Sequence, residues 1–141
     1  MIFGSQHMEF FVGIALALLV CGAAAWLGMD RDRVFYPAVL IVTASYYVVF
    51  AVIDGGQAAL WSELAIAAAF MGLAVLGFKR NLWVVVAALV GHGVMDVFHG
   101  ALVHNTGVPQ GWPGFCLTFD LTAAARVGSV LAFRARAGEF A

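Results

Sequence analysis

Five long apolar runs, at residues 10–29, 35–53, 58–78, 82–104 and 115–133, leave this chain little room for anything but helices that cross a bilayer. A helix needs roughly 20 residues to traverse about 30 Å of hydrocarbon. Inside that layer every backbone N–H and C=O must find a partner within the protein, which a helix achieves within one segment. Composition points the same way: 64% of the 141 residues are hydrophobic and only 11% are charged, too few to cover a soluble domain of this size. The expected fold class is all-α, a polytopic transmembrane helix bundle of about five spans forming a single integral membrane domain over residues 1–141.

The connections carry the charge. Asp30-Arg31-Asp32-Arg33 ends the first run, Asp54-Gly55-Gly56-Gln57 reads as a turn, and Lys79-Arg80-Asn81 is a tight link. A Gly/Pro loop from Asn105 to Gly114, containing Trp112, precedes the fifth run. Residues 1–9 lack the Lys or Arg with which a cleavable signal peptide begins, so the first run is expected to persist as a helix. Its Gly13, Ala15, Ala17, Gly22, Ala23, Ala24 and Ala25 permit close helix packing, and homo-oligomerisation through that face is an expectation.

With five spans, Arg31, Arg33, Lys79, Arg80, Arg134 and Arg136 fall on one side of the membrane, and Arg126 can snorkel to it. The positive-inside rule makes that side cytoplasmic, with the N-terminus outside, as in a bacterial inner membrane protein. No basic run exists that could track phosphates, so no nucleic-acid partner is expected. Cys21 and Cys116 lack finger-type spacing and read as packing residues.

The fourth run breaks its own apolar pattern with His92, Asp96 and His99. At positions i, i+4 and i+7 these lie within roughly 60° of one another on a helix face. An ionisable side chain costs on the order of 2.5–3.5 kcal/mol at a helix centre on insertion scales, so such residues usually face the protein interior. At about 1.5 Å per residue, Asp96, Glu63 and Asp120 all fall roughly 8–10 Å below the outer boundary, on three different helices. No Lys or Arg lies in that half to balance them.

Uncompensated buried carboxylates must be protonated or matched by a cation. Imidazole nitrogen and carboxylate oxygen are ordinary ligands of zinc, non-haem iron and manganese, so a divalent metal ion, zinc or iron first, is the expected cofactor. In this reading His92, Asp96 and His99 bind the metal while Glu63 and Asp120 complete the sphere or move protons. His104, five residues past His99, is turned about 140° from that face. Two alternatives use the same residues: a polar seam that joins helices by hydrogen bonds, and a relay or stepping site for protons or metal ions. Haem is disfavoured because both intramembrane histidines lie on one helix.

Several short elements recur in one known pattern. Phe35-Tyr36-Pro37 runs into Ala44-Ser45-Tyr46-Tyr47, Glu63 stands in the third run, and His92-Gly93 with Asp96 and His99 marks the fourth. Gly107-Val108-Pro109 then leads to Trp112-Pro113, Phe115-Cys116 and Asp120. From Phe35 to Asp120 this resembles a family of small, uncharacterised bacterial five-span integral membrane proteins with a His-Gly-x-x-Asp-x-x-His span and a Gly-Val-Pro loop. The resemblance implies the topology and supplies no activity. A looser likeness runs to intramembrane zinc hydrolases of the alkaline ceramidase type, whose paired-His motif and seven-span length are absent here.

The functional expectation is a metal-dependent membrane enzyme, a hydrolase or oxidoreductase, whose site opens to the outer face and takes a lipid or amphiphilic substrate from the bilayer. A proton or metal-ion carrier and a non-catalytic accessory subunit are the alternatives.

Overall fold

A computed structural model describes residues 7–138; the first six residues and the last three, part of the tail that follows the fifth run, lie outside the described residues. The described residues form helices joined by short turns and one loop, with no strand among them. Its elements are α1 (Met8–Leu27), α2 (Phe35–Phe50), α3 (Gly56–Lys79), α4 (Trp83–Leu102) and α5 (Trp112–Arg136). A 3-10 turn (Met29–Arg31) follows α1, and a π-helical turn (Ala51–Gly55) joins α2 to α3.

Local chemistry sets these boundaries. Gly28 closes α1 in the left-handed conformation at φ 77°, its N–H returning to the Ala24 and Ala25 carbonyls. The α4 start is held by Asn81, whose Oδ1 accepts from the Trp83 N–H at 3.0 Å. Pro113 stands in the first turn of α5, where its missing N–H is harmless.

Four stretches are long and apolar enough to cross a membrane: α1, α4, α5 and the 45-residue run Phe35–Lys79. That last run is folded back on itself. Gly56, at φ 76° and ψ 171°, breaks helical geometry after the π turn, in a conformation that L side chains avoid. The two ends of the run therefore meet: Arg33, just before α2, donates from Nε and Nη2 to the Phe78 carbonyl at 3.1 and 3.0 Å. Straight, such a run would be about 68 Å long.

Burial is inverted relative to a water-soluble bundle. Glu63, Asp96 and Asp120 are at most 1% exposed, whereas Phe11 is 71%, Leu19 67% and Trp26 87% exposed. A surface this apolar around an ionisable interior fits a lipid surround. This is an integral-membrane type of helical bundle.

Each helix buries one stripe. On α4 the stripe is Val85, Ala88, Leu89, His92, Gly93, Asp96 and His99, continuous at helical spacing from one end to the other. On α1 it is Gly13, Ala17, Cys21 and Ala24, so three of the seven Gly and Ala residues of that helix are used inside the chain. A side chain at Gly13 would collide with the Phe115 carbonyl and the Thr118 hydroxyl of α5. Ala15, Gly22 and Ala23 remain exposed on the opposite side. Leu40, Ala74, Val85, Leu89, Ala123 and Val127 form the dry core, all in the half near the Lys- and Arg-bearing ends.

Candidate metal centre

The polar residues lie in the other half, and they separate into two groups. In the first, α4 and α5 bring His92, Asp96 and Asp120 together. His92 Nδ1 lies 2.6 Å from Asp120 Oδ2 and 3.5 Å from Asp96 Oδ2. A carboxylate only accepts, so at 2.6 Å the imidazole Nδ1–H donates to Asp120. One proton therefore serves an edge that two carboxylates face. The approach of the helices depends on Gly93, where an added Cβ would stand 3.3 Å from the Leu117 carbonyl and 3.4 Å from Asp120 Cβ.

Taking one atom from each residue, the possible ligand atoms of His92, Asp96 and Asp120 all lie within 4.8 Å of one another, and all three residues are buried. Four more polar atoms of these residues are buried without any hydrogen-bond partner: His92 Nε2, both oxygens of Asp96 and Asp120 Oδ1. Buried polar atoms are rarely left so. A cation satisfies such oxygens directly, and the donor set of one imidazole and two carboxylates suits a divalent first-row ion. The residues fit a metal ion.

The second group lies one to two turns further along α4. His99 Nε2 donates to Glu63 Oε1 at 2.7 Å, joining α4 to α3. Asn105, in the loop after α4, donates from Nδ2 to the same Glu63 oxygen at 2.8 Å and to the Tyr47 carbonyl at 3.1 Å. The Tyr47 ring stacks on His99 with centroids 4.1 Å apart, and Phe70 meets His92 edge-on at 4.8 Å. Glu63 Oε2 is buried and unpartnered, and the buried Tyr47 hydroxyl adjoins the Asp96 carboxyl. The hydroxyls of Ser45, Tyr46 and Tyr47 thus divide: Ser45 donates to the Ile41 carbonyl at 2.6 Å, Tyr46 faces outward, and Tyr47 turns into the site.

Of the five residues expected from the sequence, the fold gathers all in one half of the bundle but pairs them differently. Asp120, expected to complete the sphere or move protons, stands with His92 and Asp96. His99, expected as a ligand, is engaged by Glu63 instead. Helical arithmetic placed His92 and His99 on one face, which they share; it carries no information about which neighbouring helix each one meets. His104 is exposed.

Three contributors were not singled out as site residues. Asn105 read as part of a Gly/Pro loop, and its only sequence signal was an amide beside the end of the His-bearing run. Cys116, read as packing, is a buried free thiol within electrostatic reach of Asp96 and Asp120, on the Asp120 face of α5 one turn away. Thr43 of α2 adjoins Asp120.

Thr43 and Cys116 also line a cleft of about 650 Å³ between α1, α2 and α5, whose other walls include Leu16, Val20, Phe35 and Val42. That volume is typical of small-molecule pockets. Two of its lining side chains, Thr43 and Cys116, therefore stand both in the cleft and beside the carboxylates. Comparison with protein-family models, with curated proteins and with solved structures finds no match to this chain, so the chemistry of the site itself carries the functional reading.

Proposed function

We propose that this protein is a metal-dependent integral membrane enzyme whose ion is held by His92, Asp96 and Asp120. One observation carries the reading: three buried ligand groups converge while four of their polar atoms have no partner. A divalent ion would supply the positive charge that the carboxylates lack. Zinc and iron remain the first candidates, and the second carboxylate brings manganese alongside them.

When bound, such an ion supplies Lewis acidity for hydrolysis or a redox centre for oxidation. The chain's own residues do the rest. Asp120 and Phe70 orient the His92 ring, Asp96 offers a carboxyl faced by the His92 edge and the Tyr47 hydroxyl, and the Glu63–His99 pair holds a proton between two buried acceptors one to two turns from the centre. The cleft between α1, α2 and α5 gives an amphiphile a lateral approach from the bilayer to Thr43 and Cys116, which supports a lipid or amphiphilic substrate.

In this reading five helices cross the membrane, because Phe35–Lys79 is a hairpin of two crossings. All seven Lys and Arg residues lie at one end of the bundle. By the positive-inside rule that end is cytoplasmic, the N-terminus is outside, and the metal centre lies in the outer half. The bacterial inner membrane follows from the resemblance. Homo-oligomerisation, if it uses α1, must use the exposed Ala15, Gly22 and Ala23 side.

One observation favours a second reading, a polar seam without chemistry: two short side-chain bonds between buried groups, at 2.6 and 2.7 Å, each join α4 to a different helix. Metal content separates the two. Purified full-length protein should hold about one metal ion per chain by elemental analysis. His92→Ala, Asp96→Ala and Asp120→Ala should each abolish it, while His99→Ala should retain it. Metal-free wild-type protein that folds and ignores added zinc, iron and manganese would leave the seam as the surviving reading.

A further inference from the structure

The opposite end of the bundle carries a second cleft, of about 660 Å³, between the end of α1 with its 3-10 turn and the last turns of α5. Arg31, Arg126 and Arg134 line it together with a single acid, Asp30. We infer that this cleft is a headgroup site for an anionic phospholipid, unconnected with the metal centre.

The floor is the pair of Arg126 and Asp30. Arg126 Nη2 donates to Asp30 Oδ2 at 2.9 Å, and the Arg126 side chain is 42% exposed against 9% for Asp30. The acid is thus covered by the guanidinium, which commits one of its five donors to Asp30 and remains part-exposed in the cleft lining. Asp30 balances one arginine, leaving a formal charge of +2 from Arg31 and Arg134 among the lining residues. Arg134 lies eight residues beyond Arg126, about 12 Å along the axis, so the positive charge spans the depth of a headgroup rather than a point.

Arg33 and the link between α3 and α4 are not part of this arrangement. Arg33 turns away to the Phe78 and Gly77 carbonyls, and Lys79 and Arg80 lie outside the cleft. The remaining walls are apolar apart from Ser129, whose hydroxyl donates to the Ala125 carbonyl. Ala25, Val130 and Phe133 line the side on which acyl chains run, and Phe133 is 72% exposed. A free phosphate would gain nothing from those walls, whereas a phosphodiester carrying two chains uses both surfaces. Basic pockets between transmembrane helices on the cytoplasmic side are a recognised mode of acidic-lipid binding.

The test uses the full chain in a neutral detergent, titrated with phosphatidylglycerol, phosphatidylcholine or inorganic phosphate. Thermal unfolding and native mass spectrometry of retained lipid are the readouts. Phosphatidylglycerol should raise the unfolding midpoint and stay bound, while phosphatidylcholine and inorganic phosphate should do neither. Arg31→Gln with Arg134→Gln should weaken the retained lipid by about 30-fold, the equivalent of two juxtamembrane charges. Lys79→Gln with Arg80→Gln should change it less than about twofold, because those charges act only through the diffuse field. Equal losses in the two double variants would overturn the built site in favour of general electrostatics. Equal stabilisation by inorganic phosphate would overturn the lipid as its occupant. If the first double variant fails to fold, Arg31→Gln alone, at an exposed position, should still lower lipid retention more than Lys79→Gln with Arg80→Gln. Retention no lower than in that pair would overturn the site.

Discussion

The two halves of this bundle are built on opposite terms. Near the basic end, Leu40, Val85, Leu89 and Val127 pack with almost no exposure and ask nothing of their neighbours but shape. Toward the other end the same helices bury His92, Asp96, His99, Glu63 and Asp120, whose demands for partners are only partly met. In lipid the first half gains little from apolar character as such, since acyl chains are equally apolar, so its contribution is close van der Waals packing. That dry half is the frame which holds ionisable groups in the second half where water cannot easily reach them. Among the described residues the buried core of that half contains the Tyr36 hydroxyl and the Cys21 thiol but no acid and no histidine.

The largest effect expected is the loss of a group from the His92 cluster. Asp120→Ala leaves the imidazole edge facing Asp96 alone and His92 without its shortest bond. Removing one partner of a buried charged pair costs about 3–5 kcal/mol. Metal should be lost in the same variant. Asp120→Asn keeps the shape and is expected to keep the fold while still losing the metal, because an amide is a poor substitute for an anionic ligand. Chemical unfolding with elemental analysis on the same samples reads both effects. A fully metallated, unaltered Asp120→Ala protein would break the contrast between the halves.

Leu89→Ala makes the complementary cut. This side chain is fully buried in the dry half, one turn from His92. Truncating a buried leucine costs about 2–5 kcal/mol, depending on how far the site collapses. Metal content per folded chain should be unchanged. Coupled loss of metal would mean that the frame and the site are not separable.

Much of this division was legible in the sequence. Composition and run lengths led to an all-helical membrane bundle, and the polar interruptions located the half that differs. The common depth of Asp96 and Asp120 followed from 1.5 Å per residue, and the two do meet at His92. What a one-dimensional reading lacks is azimuth between helices. It could not tell that Glu63 meets His99 rather than His92, because that depends on how α3 is rotated about its axis against α4. Asn105 escaped for a related reason: its side chain matters through the path of a loop, and loop paths carry no periodicity. The Cys116 thiol looked like packing and is packing, with the addition that its neighbours include two carboxylates.

Smaller again is the effect expected from Asn105→Ala. This amide gives Glu63 Oε1 one of its two donors and ties the loop to the Tyr47 carbonyl. A hydrogen bond to a charged group contributes about 1.5–3 kcal/mol, and loop relaxation with entering water will offset part of the loss. Hydrogen exchange should rise in the loop and at the ends of α2 and α4, with the metal retained. Asn105→Asp should be worse than Asn105→Ala, because it sets a second carboxylate against Glu63.

The smallest effect is the sharpest test of specificity among the four histidines. His104 is exposed and lies beyond the end of α4, and among the described residues neither an ion pair nor an aromatic contact involves it. His104→Ala should therefore leave metal content, unfolding midpoint and loop exchange within the scatter of repeated measurements. His99→Ala, five residues earlier, should retain the metal yet destabilise the protein, because Glu63 loses its α4 partner and Tyr47 loses the ring it stacks on. A His104→Ala protein that released its metal would place the ion at the loop that follows α4. The His92, Asp96 and Asp120 cluster would then be a seam, and the difference between the two halves would be one of packing alone.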